Sequence, residues 1–297
     1  EERFARFCRL PSALLFASGY AANLGVLAAF CDRQAEIFAD RLDHACLNDG
    51  AVLSRATLTR YAHLDLDMLA TRLAASRAEV RVVATDAVFS MDGDVAPVPE
   101  LLALCERHDA WLLLDDAHGV GVLGRTGRGS LEHFGVTSPR IIYMATLGKA
   151  LGGYGAFVAG TPELAQWLVQ RARTYVYSTA LPPMAAAAAT AAMDILEQDS
   201  FLVERLRSRV ARFRAGCEAA DLQVMTSQTA IQPLVLGEAQ RALDASAALL
   251  ERGYLVPAIR PPTVPAGTSR LRISLTAGHS DDDVDGLLAA LAATARP

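Results

Sequence analysis

AWLLLDDAHG, residues 110–119, runs an unbroken apolar stretch straight into two carboxylates and a histidine. The stretch is too short for a helix and lacks the alternation of a half-exposed strand. It suits a strand buried on both faces, as in a parallel sheet covered by crossover helices. The same shape recurs in SALLFASG (12–19), AEIFADR (35–41), VRVVATDAVFSMDGD (80–94), RIIYMATLGK (140–149) and GAFVAG (155–160). Between these runs lie helical patterns such as VPELLALCERHD (98–109), where Leu101, Leu104 and Cys105 share one face and the charges lie opposite. Short apolar strands alternating with amphipathic helices predict an α/β domain with a mainly parallel central sheet. Nothing repeats at a fixed period, which removes solenoids and propellers.

Around PPMAAAAATAAMDILEQ (182–198) a proline pair opens a long Ala-rich helix, read as a bridge to a second domain. The pattern then changes to helix (201–216), strand AIQPLVLG (230–237), helix (240–253), strand YLVPAI (254–259), strand TSRLRISL (268–275) and a closing helix. The expected organisation is a large α/β domain over 1–184 and a smaller α+β domain over 185–297. In TSRLRISL, alternation puts Leu271, Ile273 and Leu275 on one face and Arg270, Arg272 and Ser274 on the other. The two arginines are expected to look outward together.

With 297 residues, 52% of them hydrophobic, the chain can bury a large core. Its net charge of -5 and lack of any Lys/Arg-rich run argue against a nucleic-acid surface and for small-molecule partners. Five scattered cysteines without a CxxC pair suggest neither a disulfide framework nor a zinc site, and a reducing cytosol fits them best. No stretch approaches the roughly 20 apolar residues of a membrane span. The N-terminus EERFARFCRL has no signal-peptide core; it lacks an initiating Met and opens inside an amphipathic pattern with Phe4, Phe7 and Cys8 on one face, so the chain is expected to be a fragment.

Ligands of open α/β sheets bind at the carboxyl ends of strands, which makes Asp115, Asp116 and His118 site candidates. Alternation places Asp116 and His118 together and Asp115 opposite. The following GVGVLG (119–124) matches a dinucleotide fingerprint, but RTGRGS continues the loop and no helix begins at once, so that reading is rejected in favour of a flexible surface loop. Lys149 lies just past another apolar strand amid Gly148, Gly152, Gly153 and Gly155, where backbone can approach a ligand closely. Burial would lower its pKa and make its amine a nucleophile. An Asp at one strand end and a Lys at a nearby one are what pyridoxal 5′-phosphate (PLP) chemistry needs: an amine for the aldehyde and an acid for the pyridinium.

Seven motifs in register, FASGYAAN (16–23), DRLDHAC (40–46), FSMDGD (89–94), LLLDDAHGVGVLG (112–124), TLGKALGG (146–153), YSTALPP (177–183) and IRPPTVPAGTSRLRISLTAGH (259–279), resemble the α-oxoamine synthases of PLP fold type I. The resemblance implies that Lys149 forms the Schiff base with PLP and later acts as the base. It likewise implies that Asp115 pairs with the pyridine nitrogen, His118 bonds the phenolic oxygen and His44 stacks on the ring and meets substrate. Gly19 and Tyr20 match positions beside the phosphate, and Ser90 and Thr146 match hydroxyl contacts. Ser178 and Thr179 match a segment that reaches a neighbouring subunit's phosphate, which implies a homodimer with shared sites. Arg272 matches the ligand of the amino-acid carboxylate, with Arg270 as the alternative that alternation leaves open. Thr263 matches a substrate contact.

Within the family, IRPPTVPAGTSRLRISL points to the branch that condenses L-alanine with a pimeloyl thioester, carried on CoA or acyl carrier protein, in biotin biosynthesis. Glycine C-acetyltransferase, 5-aminolevulinate synthase and serine palmitoyltransferase are the alternatives, and a non-catalytic homologue is the rival of another class. Asp86 stands where the family usually has Glu, and Cys46 where Ser is common. The resemblance also implies that about the first quarter of the family's length is missing, with part of its acyl-substrate and dimer surface.

Overall fold

The computed structural model describes residues 1–199 and 201–294. They divide into two units. One holds Glu1–Phe89 and Ala96 to the end of the Ala-rich helix, and the other Ser90–Val95 and the residues from Phe201 onward.

The first unit runs α1 (Glu2–Cys8), β1 (Ser12–Phe16), α2 (Gly19–Phe30), β2 (Ala35–Asp40), α3 (Ala45–Ser54), β3 (Thr57–Tyr61), α4 (Leu66–Ala75), β4 (Val80–Asp86), α5 (Val98–Arg107), β5 (Trp111–Asp115), α6 (Ser130–Phe134), β6 (Ile141–Thr146), β7 (Ala156–Gly160), α7 (Pro162–Arg171), α8 (Arg173–Val176) and α9 (Pro183–Gln198). The strands pair in the order β1-β7-β6-β5-β4-β2-β3. β2 is parallel to β3 and β4, and β5 is parallel to β4 and β6, whereas β7 runs against both its neighbours. The carboxyl ends of β1, β2, β4, β5 and β6 therefore share one edge of the sheet.

Burial on both faces explains the unbroken apolar runs. Val82 and Ala84 of β4, Leu113 of β5 and Ile142 and Met144 of β6 pack in one cluster with Val26 and Leu27 of α2, Leu47 of α3 and Leu168 of α7. Their chain neighbours Val83, Leu112, Leu114 and Tyr143 are just as buried, and by the pleat they face the other way. There the Phe157 ring lies 5.1 Å from Phe4 and 6.2 Å from Tyr143. Each such Leu, Val or Phe stabilises the fold by about 1.5–3 kcal/mol. The sequence pattern misses β3 because this edge strand, TLTRY, buries only Tyr61.

The Ala-rich helix lies with the first unit. Arg3 of α1 pairs with Asp194 (2.7 Å) and Glu197 (2.6 Å), and Arg128 with Glu197 (3.3 Å). The division thus falls after α9, not at 184, and the short segment Ser90–Val95 belongs to the other unit. That segment is stitched in by the Gly93 carbonyl, which accepts from the hydroxyls of Ser227 (2.8 Å) and Thr229 (3.1 Å). Gly93 has a φ of +74°, and a Cβ there would lie 2.5 Å from the Ile231 carbonyl oxygen, so only glycine fits.

The second unit continues with α10 (Phe201–Ala219), β8 (Ile231–Gly237), α11 (Ala239–Glu251), β9 (Ala258–Ile259), β10 (Ser269–Ser274) and α12 (Asp281–Thr294). Its strands form an antiparallel sheet in the order β8-β10-β9. The expected strand YLVPAI shrinks to two residues beyond Pro257, which has no N–H to give a ladder. Leu271 and Ile273 are buried as the alternation requires, but the two arginines do not look outward together. Arg270 is only 4% exposed and forms an ion pair with Asp92, while its Nε donates to the Thr268 carbonyl (3.0 Å). Arg272 has neutral partners: its Nε donates to the Ser90 carbonyl (2.6 Å) and an Nη to the Ser274 hydroxyl (3.0 Å).

Removing one partner of a buried pair strands the other charge. In urea unfolding, Arg270→Ala is expected to cost the second unit about 3 kcal/mol, whereas Arg272→Ala, which loses two hydrogen bonds to neutral groups, costs about 1 kcal/mol. Equal costs would mean that the two arginines share one role.

Candidate active site

The loops beyond the shared carboxyl edge carry most of the residues singled out in the sequence. After β1, Ser18 caps α2 by accepting from the Ala21 N–H (3.1 Å). The N–H groups of Gly19 and Tyr20, in the first turn, have no intrahelical acceptor. A Cβ on Gly19 would lie 3.6 Å from Met144 Cε and 3.9 Å from Thr146 Cβ, so this helix start abuts the end of β6. The Tyr20 hydroxyl donates to Asp49 (2.7 Å), which raises its pKa. Thr146 Oγ1 donates to the Gly155 carbonyl (3.1 Å).

Lys149 lies in the loop between β6 and β7. Backbone bonds from Leu147 to Gly155 (2.9 Å), Gly153 to Leu147 (2.8 Å) and Gly152 to Lys149 (3.0 Å) pin that loop. Lys149 is exposed on this loop. Its charge nonetheless acts on two buried carboxylates. Asp115, at the end of β5, is raised by burial, and Lys149 is the largest influence pulling it back, followed by the Ala117 N–H (3.0 Å) and the Asn23 amide (2.7 Å). Asp86 is in register with Asp115 on β4. Burial and repulsion by Asp115 hold it well above the usual carboxylate range, against the pull of the His44 N–H and Lys149. Two neighbouring carboxyls in unequal surroundings can thus carry different charge states.

His44 caps α3, its Nδ1 accepting from the Cys46 N–H (3.3 Å) and lying 2.9 Å from Cys46 Sγ. His44 is thus a helix-start residue, and its exposed ring sits three hydrogen bonds from Asp115 through Cys46 and Asn23. Cys46 is buried, and burial with the charge of Asp115 pushes its thiol up to about 12. His118 is half-buried just beyond Asp115. Ser178 and Thr179 are exposed beyond α8. Ser90, Thr263 and Arg272 belong to the second unit, where Ser90 is half-buried, Thr263 is exposed and burial lowers the Arg272 guanidinium from its ordinary pKa.

The second acid of the pair is structural. β5 ends at Asp115, so alternation does not group Asp116 with His118. Asp116 is fully buried; its Oδ2 accepts from the Tyr143 hydroxyl (2.6 Å), the Ser130 N–H (2.6 Å) and the Ser130 hydroxyl (2.9 Å). Around it GVGVLG folds into a tethered loop, correcting the flexible one expected. Gly121 N–H bonds the Gly127 carbonyl (2.8 Å), Gly129 N–H bonds that of Leu123 (3.1 Å), and Val120 and Leu123 are buried. No helix starts before Ser130, in keeping with the rejected dinucleotide reading.

Sequence reasoning misses Asn23, although it lies in FASGYAAN. The available signal was an amide inside the otherwise apolar helix GYAANLGVLAAF, where it is fully buried and holds Asp115.

Compared with known proteins, residues 1–291 match the family described as aminotransferase class I and II. An 8-amino-7-oxononanoate synthase of Methylobacillus flagellatus is 59% identical over 288 residues, which cover 97% of this chain and 73% of that protein. Among solved structures, an 8-amino-7-oxononanoate synthase from Francisella tularensis superposes with a TM-score of 0.87 at 33% identity, covering 99% of this chain and 85% of that one. A serine palmitoyltransferase described as with PLP gives a TM-score of 0.95 at 30% identity, covering 99% and 75%.

Burial raises the Asp116 carboxyl from 3.8 to about 6 against the pull of Tyr143 and Ser130. A raised acid stabilises the fold fully below its unfolded pKa, and that contribution is lost as pH climbs through the folded value. Asp116→Asn, neutral throughout, is therefore expected to gain on the native chain by about 2–3 kcal/mol between pH 4 and 7. Paired urea titrations across that range check it; a gap that does not vary with pH counts against a strained Asp116.

Proposed function

We propose that this chain, which belongs to the class I and II aminotransferase family, is a PLP-dependent 8-amino-7-oxononanoate synthase. It would condense L-alanine with a pimeloyl thioester and release carbon dioxide and the free thiol. The observation that carries this reading is Lys149 acting on the buried Asp115 from the loop after the adjacent strand, with His44 tied to the same acid. The choice of alanine and a pimeloyl group rests on the name of the relative that is 59% identical.

The residues present fit PLP. Asp115 is a buried acid whose charge calls for a cationic partner, and the start of α2 presents N–H groups without intrahelical acceptors, suited to a phosphate. When bound, PLP supplies an aldehyde for amines and a ring that withdraws electrons from the substrate's α-carbon. Asp115 would hold the proton on the ring nitrogen, His44 would cover the ring, and His118 would bond the phenolic oxygen. Gly19 and Tyr20 would meet the phosphate, with the hydroxyls of Thr146 and Ser90 as further contacts. Lys149 Nζ would anchor the cofactor and, once displaced by the amino group of alanine, take the α-proton. A base tethered beside that carbon acts by proximity as well as by basicity.

In the second unit, Arg272 would take the substrate carboxylate and Thr263 the substrate. The ion pair of Arg270 with Asp92 supports Arg272 over Arg270 in that role. Arg272, half-buried with neutral partners only, suits a bidentate carboxylate. The exposed Ser178 and Thr179 would reach a second copy in a homodimer. The cytoplasm is the proposed location; among the described residues no helix is long and apolar enough to cross a membrane.

The test offers the PLP-loaded protein alanine, glycine or serine with pimeloyl-CoA, or with pimeloyl-acyl carrier protein, and weighs the products by mass spectrometry. Alanine alone should yield 8-amino-7-oxononanoate. Lys149→Ala should lower kcat by at least about 10³-fold, as loss of the proton-transfer group does. Arg272→Ala should raise the KM for alanine about tenfold or more, the worth of a charged hydrogen bond. Preferred turnover of glycine or serine, or full turnover without Lys149, overturns the reading.

A further inference from the structure

Asn23 spends both of its amide hydrogens on the site. Nδ2 donates to Asp115 Oδ2 at 2.7 Å and to Cys46 Sγ at 3.0 Å, while its own Oδ1 is buried without a partner. Leaving a buried carbonyl without a donor is costly. Rotating the amide would not relieve it, because that would set oxygen against the Asp115 carboxylate. The amide is therefore committed to giving both hydrogens.

Cys46 continues the chain of donors. Its backbone N–H already donates to His44 Nδ1 at 3.3 Å, so that nitrogen is an acceptor and carries no proton. The sulfur, 2.9 Å from the same nitrogen, must then give its S–H rather than receive. A thiol that burial and Asp115 push up to about 12 keeps that hydrogen at neutral pH.

We propose that Asn23 and Cys46 are positioning residues that lock His44 in its Nε2–H tautomer and tie its ring to Asp115 through the relay Asp115–Asn23–Cys46–His44. This rests on the functional reading above for its purpose, since one end of the relay would hold the ring nitrogen of PLP and the other its ring face. The hydrogen-bond direction itself rests on the four side chains and the Cys46 backbone N–H. A proton on Nδ1 would meet both Cys46 donors, so the relay reserves Nδ1 as an acceptor and leaves Nε2–H as the donor.

The test has two arms. In cofactor-free protein with ¹⁵N-labelled histidine, the His44 nitrogens, assigned by their loss in His44→Gln, should show an Nε2–H ring with a hydrogen-bonded Nδ1. Cys46→Ser, which keeps a donor, should preserve that pattern. Cys46→Val, of similar volume without a donor, should move Nδ1 towards the position of an unbonded acceptor, and Cys46→Ala serves the same purpose if Val does not fold. In PLP-loaded protein, the pH midpoint of the cofactor's visible absorbance should shift in Cys46→Val and return in Cys46→Ser. An Nδ1 resonance and an absorbance midpoint both unchanged by Cys46→Val overturn the relay. A native chain that takes up no PLP overturns the proposed function instead, while the nitrogen shifts still decide the relay.

Discussion

A carboxylate buried at the carboxyl end of β5 is the constraint around which the first unit is arranged. Taking such a group out of water is costly unless it is hydrogen-bonded and faces a positive charge. Asp115 receives both: an amide from Asn23, a backbone N–H from Ala117, and the charge of Lys149 from the loop after β6. Each donor comes from a different element, so α2, the β5 turn and the β6–β7 loop must all be in place before the acid is tolerated. The parallel sheet brings those elements to one edge, and the antiparallel β7 then carries the chain back beside β6 from the lysine loop.

The adjacent aspartates have different surroundings. Asp115 has Lys149 as the largest influence opposing its burial. Asp116, one residue on, is held by Tyr143 and Ser130. A Cβ on Gly129 would lie 2.2 Å from its Oδ2, and one on Gly119 1.8 Å from its Oδ1, so those glycines wrap the acid closely. What resembled a dinucleotide fingerprint is thus the packing of glycine backbone around a buried carboxyl.

Much of this was legible in the sequence because it follows from periodicity and from the ends of strands. The apolar runs at β4, β5 and β6 announced a sheet buried on both faces, and Lys149 and Asp115 stood out because charge follows immediately on such runs. β3 was illegible because an edge strand has no buried run to announce it. The role of Arg270 was illegible because alternation orders side chains along a strand but does not reveal what covers them, here Asp92 from a distant turn. Asn23 and Cys46 lie in FASGYAAN and DRLDHAC, but a donor chain depends on which hydrogen points where, and spacing carries no such direction.

The two arginines of β10 and the two aspartates after β5 differ in what faces them. Arg270 is ion-paired with Asp92, whereas Arg272 bonds neutral groups and burial lowers its pKa. Burial is the largest influence on both aspartates; Tyr143 and Ser130 hold Asp116 through Oδ2, while Lys149, Ala117 and Asn23 pull Asp115 back. A folded chain tolerates incomplete compensation of a buried charge where a ligand of the opposite charge can complete it, because the cost in the free protein becomes binding energy in the complex. By that criterion Arg272, bonded only to neutral groups, is suited to an anion.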